Sequence, residues 1–155
     1  MNRLYSLTST TYYGAADAFE AAATSASIRA QAAKIQANAN GPLKEALAAF
    51  DKKLAGLEGT RSVPAGGRGG GRGGGPPAAA QPTDTLWRIG EQLSGMMNAL
   101  QAADVAPTTN TLNALTAANA TATRVMARWT AIRTVDVPAL NAKLKAAGLP
   151  LLEVQ

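Results

Sequence analysis

The spacing of large apolar residues in two segments restricts the fold of this chain more than any other feature of its sequence. In both segments these residues follow one another at alternating intervals of four and three positions. This spacing places all of them on one side of an α-helix, as in the seams of helical bundles. The members are Leu43, Leu47, Phe50, Leu54 and Leu57 in the first segment, and Leu86, Ile89, Leu93, Met96, Leu100 and Ala103 in the second.

Two further segments also have helical periodicity. Between about residues 4 and 38, Tyr5, Tyr12 and Phe19 lie seven positions apart, which is nearly two helical turns, so they share a face. A segment from about residue 109 to 134 carries an apolar series that includes Trp129, which we expect in the core. These segments predict a first and a fourth helix around the two seams.

Turn-forming residues separate the predicted helices. Gly41 can adopt a positive φ and Pro42 suits the first turn of a helix, so the first helix ends before this pair. The expected N-caps are Thr83 or Asp84 for the third helix and Thr108 or Thr109 for the fourth.

A short fifth helix is predicted after the fourth. Asp136 has the character of its N-cap, and Gly148 ends it. The first helix would be about 50 Å long and the second about 24 Å, so the first would extend beyond the second. We expect the fifth helix to fold back and cover that excess, or another chain to cover the end with Tyr5 and Tyr12. The apolar residues available for this cover are Val137, Leu140 and Leu144.

Together these patterns predict an all-α fold: an antiparallel four-helix bundle with a short C-terminal fifth helix. The low aromatic content of 5% disfavours a β-sandwich. At 155 residues the chain suits one domain. Its expected parts are a helical hairpin over residues 1–58, a linker over 59–82, a second hairpin over 83–134, and a short helix and tail over 135–155.

The linker is rich in glycine and arginine, and it resembles the RGG tracts of RNA-binding proteins. Its arginines, Arg61, Arg68 and Arg72, supply three of the net five positive charges, so the rest of the chain carries only +2. The linker contains no Phe or Tyr that could stack on bases. We therefore interpret it chiefly as a passive connection, with weak binding of nucleic acid or another polyanion by these arginines as the alternative function.

The residues needed for most catalytic and metal sites are missing or scattered. The sequence has no His and no Cys, which excludes Ser–His triads, imidazole ligands and thiolate ligands. The carboxylates are few, and we expect them on solvated helix faces: Asp17, Glu20, Glu45, Asp51 and Glu58. We expect no enzyme activity, no cofactor and no membrane span.

The remaining function class is protein interaction. Tyr5, Tyr12 and Trp87 fall outside the tightest seams, so we expect them to be exposed and to contact a partner protein. The partner would be the rest of a parent chain or a second copy.

Several stretches resemble the C-terminal helical domain of bacterial sortilin-like BNR-repeat proteins, often labelled glycosyl-hydrolase-like. They are "LYSLTSTTYYGAADAFEAA", "LKEALAAFDKKLAGLEG" and "ARWTAIRTVDVPALNAKLKAAGLPLLEV", the most specific parts being Trp129 and residues 136–150. In that family the helical domain follows β-propellers, which this sequence lacks, so no catalytic residue carries over. The resemblance implies a detached non-catalytic module, exported or periplasmic with its parent, or cytoplasmic if Met1 is a true start.

Overall fold

A computed structural model describes residues 2–61, 84–102 and 106–154, with side chains from Tyr5 onward. Among these residues there are helices and no strand, which confirms the predicted all-α fold. Most of the linker, including Arg68 and Arg72, lies outside the described residues, as does Ala103. The helices are α1 (Asn2–Gln36), α2 (Gly41–Glu58), α3 (Leu86–Gln101), α4 (Thr109–Ala131), a π-helical segment (Ile132–Asp136) and α5 (Val137–Ala146).

Helix α1 packs against α2 and α3 along successive halves of its length. The ion pair between Arg29 and Asp51 joins its C-terminal half to α2. Its N-terminal half meets α3, where the rings of Phe19 and Trp87 lie 5.7 Å apart. Because both α2 and α3 run antiparallel to α1, their 18 and 16 residues together match the 35 residues of α1. The predicted excess of α1 is therefore covered by α3.

The third side of the bundle is a nearly continuous helical run from α4 through the π-helical segment to α5. It runs parallel to α1: Asn119 Nδ2 of α4 donates to Thr11 Oγ1, 2.9 Å away. Farther along the run, Lys53 of α2 pairs with Asp136 at 2.6 Å. Three helices thus surround the core at each level, namely α1, α3 and α4 at one end and α1, α2 and α5 at the other.

The predicted fold-back of the fifth helix is wrong. Asp136 is not an N-cap but has helical angles, φ −69° and ψ −44°, within the continuous run. Pro138 would normally end or kink a helix because it lacks an N–H and crowds the carbonyl four residues earlier. In the π-helical turn just before it, Val137 N–H bonds to Ile132 O, five residues back, and the chain continues. The apolar side chains of α5 are buried as expected, alongside α2: Val137, Leu140 and Leu144.

Of the other predicted helix ends, three are confirmed and one is corrected. Gly41 and Gly148 adopt positive φ angles of 56° and 68°. Thr108 caps α4, and its side chain accepts a hydrogen bond from Thr111 N. The N-cap of α3 is Thr85, in place of the predicted Thr83 or Asp84. Thr85 has the extended angles of an N-cap, φ −125° and ψ 159°, and its side chain makes no capping hydrogen bond but is buried where α2 and α3 meet.

The core consists mainly of alanine and branched aliphatic side chains, and it includes Trp129 as predicted. On α1 the buried positions are mostly Ala, which allows neighbouring helices to approach closely. In the described part of the chain, no helix is long and apolar enough to cross a membrane.

Candidate interaction surface

One side of α1 points away from the other helices and carries almost no charge. From Tyr12 to Ala33 its residues alternate at intervals of four and three, the spacing of a helical seam. Every member is exposed except Phe19, which is half-buried beside Trp87. We call this side the outer face, and its members are Tyr5, Tyr12, Ala16, Phe19, Ala23, Ala26, Ala30 and Ala33.

Three tyrosines at the N-terminal end of α1 are the most exposed aromatic residues described. Tyr5 is 77% exposed and Tyr12 is 60% exposed. Both side chains are therefore accessible to a partner protein, as a role in partner contact requires. Tyr13 is 63% exposed and lies edge-on to Tyr12, with ring centroids 5.4 Å apart. The seven-residue spacing did not identify Tyr13, although its position next to Tyr12 on a helix places it at the edge of the same face.

Trp87 lies apart from these tyrosines. It is half-buried at the start of α3, where one side of its ring packs against Phe19. The guanidinium of Arg61 lies over the ring, 5.4 Å from its centroid, in a cation–π arrangement. Trp87 therefore belongs to the junction of α2, α3 and the linker. Of the three arginines predicted to contact polyanions, the described residues include only Arg61, and its guanidinium already has this aromatic contact.

A polar cluster, buried at Ser25 and Glu58 and partly exposed at Arg29 and Asp51, joins α1 to α2. Arg29 Nε donates to Asp51 at 2.8 Å, and its Nη1 lies 3.3 Å from Glu58 Oε2. Ser25 Oγ donates to the same oxygen of Glu58 at 3.2 Å. The expectation of a solvated Glu58 is wrong, since Glu58 is buried, and Asp51 is only partly exposed. The sequence could not show this, because the cluster depends on which helix lies beside α2.

The charges of this cluster stabilise one another. The hydrogen bond to Asp51, with a contribution from Glu58, raises the pKa of Arg29 above its ordinary value and outweighs the opposing effect of burial. Arg29 therefore stays protonated, and each of its partners accepts from it. The arrangement holds α1 and α2 in register.

A shallow groove of about 260 Å³ runs between α1 and α4. Asp17 and Glu20 line one side, Arg133 lines the other, and Trp129 forms part of the floor. Asp17, Glu20 and Glu45 are exposed, as predicted. Across the ranges that the structure describes, no three His, Cys, Asp or Glu side chains are grouped closely enough to hold a metal ion.

Comparisons with known proteins found no match of the chain to a family model, to a curated protein or to a solved structure.

Proposed function

We propose that this chain is a non-catalytic helical domain that binds another protein surface through the outer face of α1. The observation that carries the proposal is the exposure of Tyr5, Tyr12 and Tyr13 on one helix. Tyrosines are enriched in protein interfaces because they offer a large contact area with few rotatable bonds. Here they continue an uncharged alanine face, so a partner could bury both parts without desolvating a cluster of charges.

The relation to sortilin-like BNR-repeat proteins belongs to the same proposal. If the chain is the C-terminal module of such a protein, the partner surface would lie on the preceding part of the parent. Binding of nucleic acid or another polyanion by Arg61, Arg68 and Arg72 is the alternative. It has less support, because the guanidinium of Arg61 already lies over Trp87.

The experiment is site-specific photo-crosslinking in the cells that express the chain. A benzophenone amino acid replaces Tyr12 on the outer face, or, as the control, exposed Lys145 on α5. We expect one discrete adduct from position 12 and none from position 145. Introducing Ala23→Arg and Ala30→Arg should abolish the adduct, since bulky charged side chains would then occupy the face.

An adduct that contains the propeller region of a parent chain would support the relation to BNR-repeat proteins. The proposal fails if position 12 gives no adduct, or if both positions give the same set of adducts, because contact would then not depend on the outer face.

A further inference from the structure

Opposite charges lie at equal distances from one residue on α1. Along one edge of the outer face, exposed residues repeat every seven positions, and Ser27 stands between Glu20 and Lys34. Glu20 lies seven residues before Ser27, and Lys34 lies seven residues after it. Among the described residues neither charge has an ion-pair partner. A two-fold axis beside Ser27 would bring the acid of one molecule to the base of another.

We propose that two copies of this chain form a dimer in which their α1 helices pack antiparallel through the outer faces, about a two-fold axis beside Ser27. This inference rests on the proposed function, since it names a second copy as the partner of the same face. The contact is isologous, so it closes on itself and leaves no free copy of the surface.

The charges select this orientation. In the antiparallel pair, Glu20 of each copy lies opposite Lys34 of the other, which gives two equivalent ion pairs at the edge of the interface. A parallel pair in register would place Glu20 against Glu20 and Lys34 against Lys34. Sliding one helix of the antiparallel pair along the other by seven residues separates the opposite charges. Only the axis beside Ser27 pairs all four charged side chains, Glu20 and Lys34 of each copy.

The alanines allow the two helices to approach. With the axis beside Ser27, four alanine side chains of each copy lie in the interface between the two α1 helices. Alanines permit axes about 8 Å apart, the lower end of helix packing distances. With this axis the two α1 helices overlap over residues 18–36, a length of about 28 Å. Because alanine buries little area, we expect a weak dimer with a Kd on the order of 100 µM. The four alanines are Ala23, Ala26, Ala30 and Ala33.

The tyrosines extend the contact at both ends. Tyr13 lies fourteen residues before Ser27, and Gly41 lies fourteen residues after it. Tyr12 and Tyr13 of one copy would therefore reach the α1–α2 turn of the second copy, where Gly41 and Pro42 are exposed. This contact would bury the rings of Tyr12 and Tyr13, which are open to solvent in the single chain.

The test is sedimentation equilibrium up to about 1 mM, a range set by the weak affinity expected for a small interface. We expect Glu20→Lys and Lys34→Glu each to weaken self-association about tenfold, because each turns two attractions into repulsions. An equimolar mixture of the two variants should associate at least as tightly as the parent chain, since the opposite charges then meet again. The control is Arg124→Glu on α4, which makes the same change of charge as Lys34→Glu at an exposed residue outside the interface.

The two single variants also separate specific pairing from general charge repulsion. The chain carries a net charge of +5, which Lys34→Glu lowers, so repulsion alone would make that variant associate more tightly. Circular dichroism of each variant confirms the helical fold. A monomeric parent chain at all concentrations, or tighter association of Lys34→Glu, overturns the dimer. If the crosslink from position 12 joins a different protein, the proposed function stands and the dimer does not.

Discussion

Gly59 and Thr85 lie against each other, although 25 residues separate them in the sequence. A Cβ atom added to Gly59 would come within 2.6 Å of Thr85 Cβ. Gly59 follows the last residue of α2 and Thr85 precedes the first residue of α3, so the end of α2 and the start of α3 lie at one point of the bundle. Helices α2 and α3 therefore complete one side of the bundle.

Replacing Gly59 by alanine should destabilise the protein by about 2–4 kcal/mol. The residue has a φ of 70°, which is unfavourable for a residue with a side chain, and the new methyl group would collide with Thr85. Gly41→Ala is the matched control, because Gly41 also has a positive φ, 56°, but has open space around it. Urea denaturation of both variants checks this, and equal losses would show that the contact with Thr85 contributes nothing.

Residues 62–83 should be replaceable by four Gly or Ser residues without loss of the fold. Gly59 and Thr85 already lie against each other. A shorter connection between them lowers the entropic cost of loop closure, so the free energy of unfolding should stay equal or rise by about 1 kcal/mol. Thermal and urea denaturation measure this. Loss of helicity would show that the replaced residues contribute to the core. The same variant lacks Arg68 and Arg72, and unchanged low-salt binding to single-stranded RNA would exclude them as its contacts.

Gly90→Ala should destabilise the bundle by about 1–3 kcal/mol. A Cβ at this position would lie 2.7 Å from Cε1 of Phe19, whose ring is held in place by Trp87. Gly95→Ala, on the same helix with open space, is the control and should stabilise the protein by about 0.5–1 kcal/mol. Opposite signs in thermal denaturation are the expected result. A gain of stability in both variants would show that Phe19 moves aside without cost.

Arg29→Met should lower the free energy of unfolding by about 2 kcal/mol, because it leaves the buried carboxylate of Glu58 without its charge partner. Adding Glu58→Met should recover part of the loss. The control is Lys53→Met, which breaks the more exposed pair with Asp136 and should cost less than about 1 kcal/mol. Chemical denaturation at neutral pH measures all three, and similar effects of Arg29→Met and Lys53→Met would contradict a buried role for the cluster.

Local sequence patterns were sufficient where one residue acts on its own backbone or its own helix face. Gly41, the first residue of α2, and Gly148, just after α5, adopt the positive φ that glycine favours, and Thr108 caps α4 through its own side chain. Trp129 is buried because its helix face is apolar. The same patterns carry no information about which side chains contact one another, so they predict neither the burial of Glu58 nor the edge-on contact between Tyr13 and Tyr12.

The all-α fold and the bounds of most helices follow from local sequence, since periodicity and turn residues act over a few positions. The packing of the helices, and not the local sequence, shows that α2 and α3 share the length of α1 and that the chain runs through Pro138 into α5. The packing also sets which side of α1 remains uncovered. The reason is physical: a seam specifies the face that a helix buries, and the partner of that face depends on the summed packing of all the helices.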